Sequence, residues 1–263
     1  MQTRITQDNL RRLIYIRDLL RELVVRDMKL RYKRSVLGIA WSILNPLAQL
    51  LVFGFVFRFV LPVKIPNYSS FLFCGVLAWN WFSSSLLLST GAIVDNRDLI
   101  KRPGFPAAIL PTVRVTSDLV HFLLALPVLL VFLMLDGIRL SSMILALPIV
   151  IALEFTLILA LAYFVSTIHV IFRDTQYLLG VLLHLLFFLT PVFYDVTSIP
   201  TGYQALYLFN PMMHVIDGYR AILIRGEFPD RVWLLILGAV AGVLLTFGYR
   251  TFSRASYHFV EEL

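Results

Sequence analysis

The chain has 263 residues, 59% of them hydrophobic and 15% charged, with a mean hydropathy of +0.82. A soluble domain carries about a quarter charged residues, so this composition excludes a soluble globular enzyme and a disordered chain. The net charge of +7 would suit nucleic acid in a soluble protein. In an apolar one it marks the cytoplasmic face, and no nucleic-acid partner is expected.

Residues 1–35 read as a cytoplasmic amphipathic helix. Leu13, Ile16, Leu20 and Leu23 recur at three to four residues among Arg11, Arg12, Arg17, Arg21 and Arg26, the pattern of a helix lying on a membrane surface. The first apolar run long enough to span begins after Ser35, too late for a cleavable signal peptide.

Residues 36–263 then form a transmembrane domain, making the chain an all-α polytopic membrane protein. Six transmembrane helices are expected, at 37–61, 71–94, 117–135, 143–169, 177–194 and 232–249, since a crossing needs about 20 apolar residues. An even number leaves both termini on one side. That side collects 17 Lys and Arg residues against six opposite, which puts both termini in the cytoplasm and the protein in the cytoplasmic (inner) membrane. Asp118 and Arg58 fall near span ends, where snorkelling accounts for them.

Two connections stand out. The cytoplasmic one, 95–114, opens with Asp95 and Asn96 as helix caps. It runs through Leu99 and Ile100 to Pro103, which limits its helix to one or two turns. The external one, 195–230, is too long and apolar for a simple loop. It reads as two short re-entrant helices broken at Asn210-Pro211.

Catalytic signals are missing. No Gly-Lys pair occurs, so the chain has no Walker phosphate loop, and ATP-driven work needs another chain. Cys74 is the lone cysteine, which excludes an internal disulfide and a cysteine metal cluster. His121, His169, His184, His214 and His258 lack ligand spacing. No catalytic, cofactor or metal residue is assigned.

Glu154, near the middle of the fourth span, is an intramembrane carboxylate. It is either a functional group or a hydrogen-bonded helix contact. Gly238 and Gly242 form a G-x-x-x-G pair suited to close helix packing. Trp79, Trp81, Phe187, Phe193 and Tyr194 form either an interfacial belt or an aromatic conduit whose ring faces let a sugar chain slide.

In this order, the pieces resemble the membrane subunit of an ATP-binding-cassette exporter of cell-surface polysaccharides (O antigen, capsule or teichoic acid). The resemblance runs from about Leu19 to Tyr249. It is carried by Arg31-Tyr32, Ser35, Leu37-Gly38, Trp41 and Asn45-Pro46; by Asn96, Leu99-Ile100, Phe105-Pro106 and Leu110-Pro111; by Phe172-Arg173-Asp174 and Thr190-Pro191-Val192 with Tyr194; and by Asn210-Pro211 with Tyr219-Arg220. One departure is Pro103-Gly104, where the family more often carries a bulky residue without an extra proline.

The resemblance implies a homodimer with two copies of a separate ATPase subunit, which holds ATP and Mg, so this chain carries no cofactor. It implies a lipid-linked polysaccharide, O antigen foremost, crossing between the two membrane subunits. Asp95, Asn96, Leu99, Ile100, Phe105 and Pro106 would contact the ATPase, and Arg31, Tyr32, Ser35 and Trp41 would form a cytoplasmic entrance. The five aromatics would line the channel, with Asn210, Pro211, Tyr219 and Arg220 as an external gate. The competing readings are a permease for a small lipid or drug, a membrane-embedded enzyme of envelope synthesis, and a secondary transporter or channel. Scattered acids and histidines speak against the enzyme, and the lack of an inverted repeat against the secondary transporter.

Overall fold

The structure, a computed structural model, describes residues 2–60 and 65–262, with backbone only for 2–10 and 58. Leu61 and Lys64, expected at the end of the first span and beyond it, lie outside the described residues, as do the side chains of Arg4 and Arg58. The described residues form helices and turns, with no strand among them.

The helices are α1 (Gln2–Arg31), α2 (Trp41–Phe55), α3 (Tyr68–Thr90), α4 (Arg97–Ile100), α5 (Ile109–Leu135), α6 (Leu147–Ile171), α7 (Thr175–Leu189), α8 (Thr201–Leu208), α9 (Pro211–Arg220), α10 (Arg231–Ala255) and α11 (Phe259–Glu262). Among the described residues, five segments are long and apolar enough to cross a bilayer: Gly38–Phe55, Tyr68–Thr90, Ile109–Leu135, Ser142–Ile171 and Arg231–Ala255.

The fifth expected span differs. α7 ends at Leu189 rather than at 194 and has 15 residues, about 22 Å at 1.5 Å per residue. The stop is chemical. Pro191 disfavours helical backbone at the residue before it, and Thr190 is extended, with ψ 137°.

The third expected span also differs, starting at Ile109 instead of 117. Pro111 falls in the first helical turn, where a missing N–H costs no internal hydrogen bond. Arg114, expected in a loop, is therefore helical, and Asp118 lies well inside α5 rather than at its end.

α3 is the central helix. It packs on α2, α5, α6, α7 and α9 and is apolar on nearly every face, as a helix surrounded by others must be. α10 lies along α6. Their closest approach is at Gly248, where a Cβ would stand 2.8 Å from the Ala160 carbonyl. Of the G-x-x-x-G pair, Gly238 packs against α6, where a Cβ would stand 3.3 Å from a Leu153 methyl, and Gly242 faces open space.

A second, smaller core gathers one end of the bundle. Ile93, Ile100, Ile109, Val113, Val170, Phe252 and Phe259 form it, and Ile16, Leu19, Leu20, Leu23 and Val24 of α1 pack against it. The apolar stripe of α1 thus rests on protein. α11 joins the same core through Phe259. Elsewhere α2, α7 and α10 expose Leu51, Phe55, Leu178, Val181, Leu235, Val243 and Phe247, an apolar surface too extensive for water contact.

Candidate functional site

At the α1 end, the segment from Asp95 to Pro106 folds as a short turn, the single helical turn α4 and a tight bend at Gly104, whose φ is +75°. Asn96 does not cap α4 as expected. Its Nδ2 donates to the Ala92 carbonyl (2.9 Å), and its Oδ1 accepts from Arg26 (3.4 Å). Asp95 instead faces Arg114 at 3.6 Å. Ile100 is buried in the small core, while Leu99, Phe105 and Pro106 are half-buried. The exposed face is charged: Arg97, Asp98, Lys101 and Arg102.

The four expected entrance residues do come together. Arg31, Tyr32, Ser35 and Trp41 line one cleft of about 650 Å³, together with Trp81 and His121 among others. Ser35 Oγ accepts from the Gly38 N–H (3.1 Å), fixing a turn in which Gly38 takes φ +52°, a left-handed conformation that glycine adopts without steric cost. Tyr32 and Ser42 hydroxyls meet His121 Nδ1 at 3.1 and 2.7 Å, and Asn80 donates to Gln49 (3.0 Å). The cleft is therefore lined by groups that both donate and accept.

Asp118, only 3% exposed, anchors this cleft. Its Oδ1 accepts from Arg31 Nη1 at 2.6 Å, and its Oδ2 accepts from Ser84 (2.9 Å) and Ser85 (3.2 Å). Burial acts to lower the Arg31 pKa, but the Asp118 and Asp27 carboxylates outweigh it and hold the guanidinium above its usual value. Asp27 also pairs with Arg114. The sequence reading missed Asp27, Arg114 and Asp118 as a set. An acid at i and a base at i+4 on α1, Asp27 and Arg31, was the available signal.

At the opposite end, aromatic rings collect. Trp79, Phe187, Phe193 and Tyr194 form one continuous cluster, with centroid separations of 5.8, 5.7 and 5.0 Å between neighbours. Phe53 and Phe57 of the first span join it, Phe57 stacking on Phe193 at 5.0 Å. Their i, i+4 spacing was visible in the sequence and went unused. Trp81 stands apart from the cluster, stacked on Phe122 at 5.0 Å.

The 195–230 segment contains two short helices broken at Asn210-Pro211, as expected. Asn210 caps α9 by accepting from the Met212 N–H (3.0 Å), with Pro211 at the first helical position. Asn210 Nδ2 also donates to Thr190 Oγ1 (2.9 Å). α8 buries no residue; α9 enters the core. Tyr219 donates to Glu154 Oε2 at 2.6 Å, and Arg220 donates to the Pro191 and Val192 carbonyls, both at 2.7 Å. The Arg220 guanidinium also lies over the Phe71 ring, 3.4 Å from its centroid.

The motifs Thr190-Pro191-Val192, Asn210-Pro211 and Tyr219-Arg220 are thus one assembly. They frame a chain with a polar cleft at one end, an aromatic cluster at the other, and no group of three His, Cys, Asp or Glu able to hold a metal among the described residues.

The profile of the ABC-2 type transporter family matches residues 18–224, most of the chain. The chain belongs to the ABC-2 type transporter family. An O-antigen export system permease protein, RfbA of Myxococcus xanthus, is 38% identical over 255 residues, covering 96% of this chain and 98% of the relative. RfbA of Klebsiella pneumoniae is 32% identical over 250 residues, 95% and 96% of the two chains. A polysialic acid transport protein, KpsM of Escherichia coli, is 27% identical over 235 residues, 87% and 91%. This ABC-2 chain is a membrane transport subunit and not an enzyme.

Proposed function

We propose that this ABC-2 permease exports a lipid-linked polysaccharide, O antigen foremost, across the cytoplasmic membrane. The observation that carries the reading is near full-length similarity to relatives named as O-antigen export permeases. Similarity to a polysialic acid transport protein makes capsule export the second reading.

The working unit is a homodimer with two ATPase subunits, which hold ATP and Mg. Residues 1–35 form the cytoplasmic helix and 36–263 the transmembrane domain, with both termini in the cytoplasm. α7 serves as the sixth crossing. It starts beside the small core at the α1 end and finishes against Arg220 at the other, and a sixth passage is what lets α1 and α11 share an end.

Charge favours that end as the cytoplasmic one. The segment at Asp95, Asn96, Leu99, Phe105 and Pro106, braced by α1 and α11, contacts the ATPase; Ile100 anchors it from within. Arg31, Tyr32, Ser35 and Trp41 form the entrance. Phe187, Phe193 and Tyr194 guide the polymer, whereas Trp79 and Trp81, 5% and 2% exposed, belong to the bundle core and do not reach it. Ring faces suit a sliding polymer because stacking is less directional than hydrogen bonding. Asn210, Pro211, Tyr219 and Arg220 hold the gate segment in place, and Glu154 fixes α9 from below.

Deleting the gene in a cell that makes such a polymer tests the reading. Lipid-linked polymer should accumulate on the cytoplasmic side and return to the surface on complementation. Undisturbed surface polymer would overturn it.

A further inference from the structure

Five charged side chains form an unbroken series from the cytoplasmic segment into the bundle. Asp95 faces Arg114 Nη2, and Arg114 Nη1 pairs with Asp27 Oδ1. The second Asp27 oxygen lies 3.4 Å from Arg31 Nη2. Arg31 Nη1 reaches Asp118, which ends the series on Ser84 and Ser85 of α3. The links pass from the turn before α4 to α5, to α1, back to α5 and on to α3.

Packing alone does not call for this arrangement. A buried ion pair adds little net stability over apolar side chains of the same shape, and its best-attested use is to specify register or serve a switch. Asp118 is nearly inaccessible, yet it spends both oxygens on partners from two other helices. Asp27 gives one oxygen to each of two arginines, so a shift of either arginine changes its hold on the other. The series also ends where it can act, because Arg31 and Asp118 both line the polar cleft.

We propose that Asp27, Arg31, Arg114 and Asp118 are positioning residues that transmit displacement of the cytoplasmic segment to the polar cleft. Movement at Asp95 draws on Arg114, Arg114 on Asp27, and Asp27 on Arg31, which changes the pairing of Arg31 with Asp118 at the cleft wall. The inference rests on the reading of that segment as the ATPase contact.

The test uses the permease–ATPase complex in vesicles, with three readouts: ATP hydrolysis, export of lipid-linked glycan, and a crosslink from Leu99→Cys to the ATPase. Asp27→Asn, Arg114→Gln and Asp118→Asn should each keep the crosslink and hydrolysis within about twofold while export per ATP falls about tenfold. Links in series fail together, so combining two variants should cost no more than either alone, whereas independent sites would multiply their losses. The Ser84→Ala/Ser85→Ala pair removes the last link without touching a charge and should uncouple equally. It carries the test if Asp118→Asn does not assemble.

Export that stays proportional to hydrolysis with the crosslink intact overturns the relay alone, as do multiplied losses in the combined variants. A missing crosslink in the otherwise native complex overturns the docking reading itself.

Discussion

Tyr219 on α9 and Glu154 on α6 are joined by a 2.6 Å hydrogen bond in a site where the Glu154 side chain has no solvent exposure. Sixty-five positions apart in sequence, they hold α9 against the bundle. Among the described residues no cation pairs with Glu154, and Arg220 is committed to the carbonyls of Pro191 and Val192. The hydrogen bond from Tyr219 ties α9 to α6 through one carboxyl oxygen of Glu154, and the other oxygen is buried without a partner among the described residues.

Tyr219→Phe leaves a buried acceptor unpaired, which costs about 1–3 kcal/mol. Glu154→Gln keeps an acceptor and should cost less. The double variant Tyr219→Phe/Glu154→Leu removes both polar partners and should be more stable than Tyr219→Phe alone. Thermal unfolding of the purified protein in detergent reads the order, and a double variant less stable than the single would contradict it.

Gly75 is the seat of Arg220. A Cβ at this position would stand 2.8 Å from the Val192 carbonyl and 2.9 Å from Arg220 Nη2. Gly75→Ala should destabilise by about 1–3 kcal/mol through overpacking and loosen the Thr190-Pro191-Val192 bend. Gly242→Ala, with open space around it, is the control and should leave the melting temperature unchanged.

Leu99 and Ile100 should part company on substitution. Ile100→Asp buries a charge in the small core and should reduce the amount of folded protein, read by fluorescence-detected size exclusion. Leu99→Asp should leave the amount of protein near normal and abolish export, read as intracellular polymer. Equal protein loss in both would place Leu99 in the core as well.

Leucine at Phe187, Phe193 and Tyr194 together keeps apolar volume roughly and should cost little stability. If the rings guide the polymer, the triple variant should accumulate lipid-linked glycan inside the cell at unchanged protein level. Normal export would return these rings to an interfacial belt.

Much of the architecture was legible because a bilayer imposes a coarse rule: apolar length gives the crossings, and Asn210-Pro211 and Pro103 punctuate the connections. Two prolines went unread: Pro111 in the first turn of α5 lay within the expected loop, so the third span was started late, and Pro191 lay within the expected fifth span, so that span was ended late. The cleft residues Arg31, Tyr32, Ser35 and Trp41 came from the family resemblance, and the structure brings them to one cleft. Asp118 was not among them, since its partners come from α1 and α3, and pairing across helices leaves no local pattern. Asn96 looks like a cap in isolation, but the Ala92 carbonyl was the nearer partner for its amide.

Topology underlies all of this, and reporter fusions at Asn67 and after Glu262 read it. The two should report opposite sides of the membrane, the second cytoplasmic. An external report after Glu262 would remove α7 as a crossing.

The most direct test of the central claim is ATP-driven export in proteoliposomes holding this permease and its ATPase, supplied with defined lipid-linked glycan. The account predicts that glycan crosses only with hydrolysable ATP and both subunits present, and that the lipid carrier without sugar does not replace it. Glycan movement by the permease alone, or transport of the bare lipid at the same rate, would contradict it.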